Sequence, residues 1–415
     1  MVEILGTHDV NQKVKKFFRR RKLNLLVIPG PGFTESCIRE CRSLVSEHEV
    51  QRHPLGLLIL GVQYRDVFRL TLMLSTAREA YLLLDSSQVD AHKQFKRRLR
   101  EIPWGLMLPD SETVGIRVES IESRLFHEGS LQEIAYKALE IPKTRQSNFG
   151  DGSQKILIHL KENRLEVYIG LSGVPLYKRG YKGPSSLRAP LPEHLARSIA
   201  SELFHRFSPP QKPIVYNPFA GSGSLGFEAL LEMTRAPGGL WPRDYSFSSW
   251  AGRPQSSIEY YRKTLGHQID QNGPHHSACI FLDQSGVMIA ELKDRWPRFL
   301  APLPPSWASS LVEFHCDDFF SFRFDEIQSK QPLVLFMNPP YDWRLKIAGG
   351  ARNFYREVGR TVSRLRNPYI SGVILCPSED SWGEFLRELV GFSTETQHFS
   401  HGGRDLRAVY FCRIG

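Results

Sequence analysis

The sequence predicts an α/β protein whose C-terminal half contains a doubly wound, mostly parallel sheet. Apolar runs typical of buried parallel strands recur through this half, and polar turns follow them. One run, Ile214–Tyr216, leads into a glycine-containing loop and a helix predicted over 226–233. Another, Leu333–Met337, ends at an Asn-Pro-Pro-Tyr turn over 338–341. A strand followed by a glycine-containing loop and a helix is the arrangement of nucleotide-binding sheets, described as Rossmann-like.

The turn at 338–341 suits the binding of a flat molecule through an exocyclic amine. The Asn338 side-chain oxygen and the Pro339 carbonyl can both accept hydrogen bonds from an NH2 group. Pro339 and Pro340 restrict the backbone, so these acceptors need little reorganisation. Tyr341 offers an aromatic face on which a base can stack. The alternative is a plain turn that ends a strand.

The loop after 214–216 begins at Asn217 and contains Gly221 and Gly223, which let the backbone approach a ligand closely. No Gly-Lys-Ser/Thr follows, which excludes a phosphate-binding P-loop. A dinucleotide site would place an acid about 20 residues further on. The nearest acid that ends a strand-like run is Asp283, far beyond that distance, so the sequence disfavours ordinary NAD binding.

The two motifs together resemble the amino-methyltransferases that use S-adenosylmethionine. In that family the first motif reads Asp-Pro-Phe/Met-X-Gly-Ser-Gly-Thr and the second reads Asn/Asp-Pro-Pro-Tyr/Phe. The resemblance implies a Rossmann-like class I methyltransferase domain over 183–415, with the methionine part of the cofactor held by 217–224. It implies that Asp283 binds the ribose hydroxyls and that Asp318, after a strand predicted over 311–314, binds the adenine amine.

The resemblance therefore yields a full set of candidate site residues. The cofactor-binding candidates are Asn217, Pro218, Phe219, Ala220, Gly221, Ser222, Gly223, Asp283, Asp318 and Asn338. The catalytic candidates are Asn338, Pro339, Pro340 and Tyr341.

Two positions depart from the family pattern. Asn217 stands where the family usually has Asp, so its amide oxygen can accept a hydrogen bond from the cofactor ammonium but offers no charge. Asp342 stands where close relatives have Gly, and it puts charge and bulk beside the target pocket. These departures leave open an RNA-binding protein whose active site has decayed.

The first half predicts an α+β module over 23–182 that follows a basic arm, flexible or helical, over 1–22. Two apolar runs at 154–160 and 165–169 predict a β-hairpin. Residues 171–181 resemble the end of a THUMP domain, an RNA-binding module of tRNA and rRNA modifying enzymes. An earlier piece resembles the ferredoxin-like part of such modules. The whole resemblance implies bacterial THUMP methyltransferases that act on guanine N2 of 23S rRNA.

The charge favours a polyanionic partner. The 415 residues carry a formal net charge of +10, and basic clusters with interleaved aromatic residues occur at 13–22 and 178–182, with a further basic group at 96–100. Solvated faces are the alternative, but three clusters together favour RNA. We predict RNA contacts at Lys178, Arg179, Tyr181 and Arg344.

Other features narrow the class of protein. No apolar run reaches the ~18 residues that cross a bilayer, and the N-terminus lacks a signal-peptide pattern. Six cysteines without a Cys-x-x-Cys pair predict a cytoplasmic protein with no disulfide framework and no bound metal. An insertion is predicted near 235–275, either substrate-facing or partly disordered. We expect its His275-His276 pair to be solvated.

The combined prediction is an S-adenosylmethionine-dependent RNA methyltransferase acting on the exocyclic N2 amine of a guanine in 23S rRNA. Its expected partner is large-subunit rRNA or an assembly intermediate, with no membrane. The oligomeric state is open. The alternatives are methylation of tRNA guanine N2, adenine N6 or a protein glutamine amide, and a decayed RNA-binding or ribosome-assembly factor.

Overall fold

The computed structural model describes residues 7–19, 21–45, 47–183, 190–210, 212–270, 278–307, 311–322, 331–341 and 350–414. The chain forms two compact units. Unit 1 consists of Met1–Pro29, Ile38–Lys178 and Pro242–Lys263. Unit 2 consists of Gly30–Cys37, Arg179–Trp241 and Thr264–Gly415. Each unit thus includes one short segment that sequence order alone would assign to the other.

The α-helices and strands follow one another in an α/β order. The helices are α1 Thr7–Val14, α2 Thr34–Leu44, α3 Tyr64–Met73, α4 His92–Arg100, α5 Glu128–Ala138, α6 Glu193–Arg206, α7 Ser224–Met233, α8 Gln255–Asp270, α9 Gly286–Leu300, α10 Gly350–Ser363 and α11 Glu379–Glu388. The strands are β1 Leu23–Pro29, β2 Val50–His53, β3 Gly56–Val62, β4 Ala77–Gln88, β5 Val114–Ile121, β6 Gln154–Lys161, β7 Arg164–Gly170, β8 Ile214–Pro218, β9 Ala278–Asp283, β10 Leu311–Cys316, β11 Leu333–Met337, β12 Tyr369–Cys376, β13 Ser393–His401 and β14 Arg404–Ile414.

Unit 1 contains a seven-stranded sheet in the order β2-β3-β1-β4-β7-β6-β5. Neighbouring strands are antiparallel except β5 and β6, which are parallel. The hairpin predicted at 154–169 is confirmed as β6 and β7. The basic arm is helical over Thr7–Val14, and beyond this helix Phe18 is buried and stacks on Tyr64 with ring centroids 4.4 Å apart. At least this part of the arm therefore packs into unit 1.

The segment Pro242–Lys263 is a folded part of unit 1. Trp250 is fully buried and its indole N–H donates to Gln154 Oε1 at 2.9 Å. The Phe247 ring lies 5.0 Å from the Phe68 ring. Phe247 and Trp250, within the predicted insertion near 235–275, therefore fill a core of unit 1. Residues 271–275 of that insertion lie outside the described residues. The His275-His276 pair lies outside the described residues.

Polar contacts anchor the same segment. The Arg243 guanidinium donates to backbone carbonyls of one nearby loop, those of Ser172, Val174, Pro175 and Leu176. A guanidinium presents five N–H donors in one plane, so a single side chain can satisfy several carbonyls of an irregular loop. The loop that resembles the end of a THUMP domain is thereby held by a residue distant in sequence.

Unit 2 contains a second seven-stranded sheet in the order β10-β9-β8-β11-β12-β14-β13. Strands β8 to β12 pair in parallel, and β14 is antiparallel to both of its neighbours. The chain moves outward from β8 through β9 to β10 and then returns to β11 on the other side of β8. The topological switch point therefore lies between β8 and β11, where ligands of open α/β sheets bind.

Apolar residues cover both faces of this sheet. One core includes Phe227, Phe281 and Phe299, and the other includes Tyr355 and Phe411. Every residue of β11 and β12 is buried, which confirms the prediction of buried parallel strands. Strands β13 and β14 form an antiparallel hairpin at the C-terminal end of the chain.

Two further findings concern chemistry outside the sheets. All six cysteines are free, and Cys316 is the exposed one. None of the helices in the described part of the chain is long and apolar enough to cross a membrane.

Candidate active site

The glycine loop, residues Phe219–Gly223, joins the carboxyl end of β8 to the start of α7. Phe219, Gly221 and Gly223 adopt φ values of 55°, 52° and 76°. A positive φ is uncommon for a bulky residue such as Phe219, and such backbone strain tends to occur at functional sites. A Cβ on Gly223 would lie 2.4 Å from Leu292 Cδ2, so only glycine fits there.

Asp283 ends β9 and holds the glycine loop from the neighbouring strand. Its Oδ2 accepts a hydrogen bond from the Gly221 N–H at 2.8 Å, and its Oδ1 accepts one from the Ser285 N–H at 2.9 Å. The residue is half-buried. A carboxylate has about four acceptor positions, so Asp283 retains capacity for further donors such as hydroxyl groups.

Asn217 lies inside the sheet, with 1% of its surface exposed. Its Nδ2 donates to the Phe336 carbonyl at 2.6 Å, and its Oδ1 accepts from the Gly226 N–H at 3.2 Å. The amide therefore ties β8 to β11 and to the first turn of α7. This corrects the prediction that the Asn217 oxygen meets a cofactor ammonium, because that oxygen is buried and bonded within the domain.

The two hydrogen bonds of the Asn217 side chain also explain why an amide suits this position. An amide can donate to the Phe336 carbonyl and accept from the Gly226 N–H at the same time, whereas an ionised carboxylate can only accept. An ionised carboxylate would direct an acceptor at a carbonyl oxygen.

The Asn338-Pro339-Pro340-Tyr341 turn follows β11 at the same edge of the sheet. Asn338 is half-buried, and its Oδ1 accepts a hydrogen bond from the Tyr341 hydroxyl at 3.0 Å. An amide oxygen has two lone pairs, so one acceptor position remains. Tyr341 is 7% exposed and its ring belongs to the core on one face of the sheet.

Asp318 follows β10 and is half-buried. Its Oδ1 accepts from the backbone N–H of Phe320 at 2.8 Å, and its Oδ2 accepts from the Gln284 side-chain amide. The structure places Asp318 one strand beyond Asp283, because β10 pairs in parallel with β9. Both acids therefore lie at the carboxyl edge, in the order the sequence predicted.

The predicted RNA contacts separate into three groups. Lys178 is exposed and its Nζ donates to Asp151 Oδ2 at 2.6 Å. Arg179 and Tyr181 are fully buried, and the structure corrects their assignment, because a buried side chain offers no surface to a phosphate. Arg344 lies outside the described residues, as does Asp342.

The partner of the two buried side chains is Glu228, which the sequence analysis missed. Glu228 Oε1 accepts from the Tyr181 hydroxyl at 2.7 Å, and Arg179 lies 3.0 Å from Oε2. Burial raises the pKa of Glu228, and the charges of Arg179 and Arg197 oppose that rise. The available sequence signal was a pair of acids, Glu228 and Glu232, within the otherwise apolar helix α7, since buried charges need partners.

A second polar cluster lies in unit 1. Ligand-type atoms of His53, His159 and Glu166 lie within 4.8 Å of one another. Burial would raise the pKa of Glu166, but hydrogen bonds from His159, His53 and Tyr168 outweigh it and lower that pKa. His53 Nδ1 accepts from the Leu55 N–H, so its Nε2 carries the proton that faces Glu166. The geometry therefore favours a hydrogen-bond network over a metal-ligand set.

Comparison with curated proteins identifies relatives among RNA methyltransferases. The chain is 26% identical over 302 residues to the ribosomal RNA large subunit methyltransferase K/L of Legionella pneumophila, which covers 71% of this chain and 41% of that protein. It is 23% identical over 357 residues to YpsC of Bacillus subtilis, a candidate RNA methyltransferase, which covers 83% of this chain and 86% of that protein. The chain is homologous to RNA methyltransferases.

These relatives differ in length. The chain spans less than half the length of the K/L methyltransferases it matches. The K/L methyltransferase of Hydrogenovibrio crunogenus is 32% identical in the aligned region, which covers 33% of that protein. YpsC, by contrast, is matched over most of its length. No family model matches the chain. The predicted resemblance to rRNA methyltransferases is confirmed at the level of sequence similarity.

Solved structures confirm the fold. A possible methylase from Clostridium difficile 630 superposes with a TM-score of 0.72 at 18% identity, covering 95% of this chain and 98% of that one. SMU.472, a candidate methyltransferase solved in complex with SAH, superposes with a TM-score of 0.70 at 21% identity, covering 95% of this chain and 98% of that one. The predicted α/β fold with a Rossmann-like methyltransferase sheet is therefore confirmed.

Proposed function

We propose that the protein is an S-adenosylmethionine-dependent RNA methyltransferase that modifies the exocyclic N2 amine of a guanine in 23S rRNA. One observation carries this proposal. The glycine loop and the half-buried Asn338 amide lie at the ends of β8 and β11, which flank the switch point of the sheet. The loop proposed to bind the cofactor and the amide oxygen proposed to accept from the target amine therefore lie at the same edge of the sheet. Sequence similarity to RNA methyltransferases supports RNA as the substrate class.

The residues at this edge fit S-adenosylmethionine. The glycine loop has positive φ values and two residues without side chains, so the methionine part of the cofactor can approach its backbone closely. Asp283 has acceptor positions left for the ribose hydroxyls. Asp318 is the candidate for the adenine amine, because its carboxylate lies one strand further along the same edge. When bound, this cofactor supplies an electrophilic methyl group on a sulfonium.

The residues of the turn position the target amine. Asn338 Oδ1 and the Pro339 carbonyl would accept hydrogen bonds from the guanine N2 amine and orient its lone pair. These acceptors would also stabilise the positive charge that develops on nitrogen as its bond to the methyl carbon forms and the carbon–sulfur bond breaks. The methylated amine would then release one proton to water. No nucleophilic side chain of the protein is required. The effect is positioning by acceptors that Pro339 and Pro340 hold in place.

Tyr341 has a first role as the residue that orients the Asn338 amide. Its hydroxyl donates to Oδ1, which fixes the oxygen side of the amide. Stacking of the target base on its ring stays a prediction, because a ring that is 7% exposed must first be uncovered. Extrusion of the guanine from its stack would accompany that change.

We propose that unit 1 is a THUMP-like module that binds structured RNA through phosphates and shape. The net charge of +10 and exposed cations such as Lys178 support a polyanionic partner. Large-subunit rRNA or an assembly intermediate, in the cytoplasm, is the proposed substrate.

Nucleoside mass spectrometry tests the proposal. RNA from cells with and without this gene is separated into rRNA and tRNA, and the strain lacking it is complemented with wild type or Asn338→Ala. We expect N2-methylguanosine to disappear from large-subunit rRNA and to return only with wild type. Loss from tRNA alone, or loss of N6-methyladenosine, would redirect the substrate. No change in any RNA would favour a protein substrate or a decayed RNA-binding factor.

A further inference from the structure

Arg295 on helix α9 is a fully buried cation that contacts the glycine loop from outside its motif. The residue is 1% exposed. Its NH1 donates to the Ser222 carbonyl at 3.2 Å, and its Nε donates to the Lys182 carbonyl at 2.7 Å. The NH2 group pairs with the Glu291 carboxylate one helical turn away. One guanidinium thus bridges two loops and its own helix.

We propose that Arg295 is a positioning residue that holds the glycine loop in its cofactor-binding conformation. This inference rests on the function proposed above, because it assigns a role at the same site. Sequence motifs do not reveal it, since Arg295 lies 73 residues beyond the carbonyl it bonds.

The peptide that Arg295 contacts is held on both of its sides. The carbonyl of Ser222 and the N–H of Gly223 belong to the same planar peptide unit. The N–H donates to the Ala220 carbonyl at 2.8 Å, while the carbonyl accepts from Arg295. With both polar groups bonded, this peptide cannot rotate without breaking a hydrogen bond. Its orientation sets ψ of Ser222 and φ of Gly223, which is 76° and lies in the left-handed region.

The other end of the Arg295 bridge is equally fixed. Lys182 Nζ donates to the Leu191 carbonyl at 2.7 Å and lies 3.2 Å from Glu193 Oε2 at the start of α6. Burial lowers the pKa of Lys182, and Glu193 opposes that effect. The half-buried Lys182 ammonium and the buried Arg295 guanidinium each have a carboxylate partner, Glu193 and Glu291 respectively. The glycine loop is thereby joined to the base of α6.

The geometry requires a guanidinium. The planar fork reaches two carbonyls and a carboxylate in three directions, whereas a lysine ammonium is a point charge on a flexible stem. Arg295→Lys should therefore keep the buried charge and lose part of the bridge. Arg295→Met should keep most of the volume and lose every hydrogen bond. Both changes leave Asp283, Asn338 and the glycine loop sequence intact.

Isothermal calorimetry with S-adenosylmethionine and with S-adenosylhomocysteine measures the effect. We expect cofactor affinity to fall at least tenfold in Arg295→Met and severalfold in Arg295→Lys, while affinity for an rRNA fragment stays within twofold. The matched control is Arg298→Met, on the same helix, where the side chain is 48% exposed and pairs with Asp294. That control should bind cofactor as wild type does.

Amide hydrogen exchange distinguishes positioning from general stability. The Gly223 N–H should exchange faster in Arg295→Lys than in wild type, while the amides of β11 and β12 should keep their protection. Folded variants with unchanged cofactor affinity and unchanged Gly223 exchange would overturn the inference. If wild type itself fails to bind cofactor, the proposed function fails, and the exchange of Gly223 still decides the role of Arg295. If Arg295→Met does not fold, Arg295→Lys supplies both measurements.

Discussion

The same dipeptide, Asn-Pro, ends two adjacent parallel strands of unit 2 and has a different environment at each. Asn217, at the end of β8, is 1% exposed, and both ends of its amide bond to backbone groups. Asn338, at the end of β11, is half-buried, and its oxygen accepts from the Tyr341 hydroxyl. A motif therefore does not define a role by itself. The groups that surround the amide decide whether it supports the fold or meets a ligand.

The two amides are also linked. Asn217 donates to the carbonyl of Phe336, which lies two residues before Asn338 on β11. The buried amide thereby holds the strand that presents the half-buried one. We expect substitutions at the first to act on stability and substitutions at the second to act on catalysis.

The largest expected effect is on turnover. Asn338→Ala removes the amide oxygen that we place on the target amine, so the methyl-transfer rate should fall by about 100-fold or more. The thermal midpoint should stay near wild type, because the side chain is half-buried. Single-turnover transfer to RNA lacking the modification measures the rate, and calorimetry measures cofactor binding. A folded Asn338→Ala protein with near-normal turnover would remove the turn from the mechanism.

The second prediction compares the same chemical change at both positions. Asn217→Asp replaces the donor to the Phe336 carbonyl with an acceptor in a buried site, so the free energy of unfolding should fall by about 2–3 kcal/mol. Asn338→Asp should cost less than about 1 kcal/mol, because water reaches that side chain. Urea unfolding of both variants at neutral pH measures the difference.

Lowering the pH sharpens this test. A protonated carboxyl at position 217 can donate to the Phe336 carbonyl, so the deficit of Asn217→Asp should shrink as the pH falls. Equal losses of unfolding free energy in the two variants at neutral pH would show that the amide of Asn217 stabilises the fold no more than the amide of Asn338 does.

The smallest expected effect concerns Tyr341. Tyr341→Phe keeps the ring and removes the hydroxyl that orients the Asn338 amide, so kcat should fall about three- to tenfold. KM for the cofactor should not change. If stacking of the base were the only role of this residue, Tyr341→Phe would match wild type, whereas Tyr341→Leu would not. Steady-state kinetics of the two variants separates these roles.

The parts of this site that were predictable share a local origin. The apolar run at 333–337, the glycines at 221 and 223 and the acid at 283 are each set by a few consecutive residues. The sequence also predicted that these features lie at the same edge of the sheet, because the carboxyl ends of parallel strands share one edge. The fold class and the hairpin at 154–169 were predicted from the same kind of local pattern.

The basic run at 178–182 shows where local pattern misleads. Its charge predicted an RNA surface, but Arg179 and Tyr181 are buried against Glu228. Glu228 lies 47 residues after Tyr181. A charge pattern shows only which side chains are ionisable. Whether such a side chain is buried depends on whether the fold brings a distant residue of opposite charge beside it.

Local sequence also fails to predict which unit a segment belongs to. Phe247 and Trp250 lie in the sequence of the C-terminal half, yet they pack in unit 1 on Phe68 and Gln154. The sequence predicted an insertion at these positions, either substrate-facing or partly disordered, and no local pattern identifies the core that accepts the two residues.

Strand identity, loop chemistry and the edge that carries the site thus follow from short-range sequence, because backbone propensity and apolar periodicity act over a few residues. The division of labour between Asn217 and Asn338, the burial of Arg179 and the bridge made by Arg295 follow only from the assembled unit. The physical reason is that hydrogen bonds and ion pairs depend on which groups meet in space, and in each of these cases a decisive partner is distant in sequence or hidden by burial.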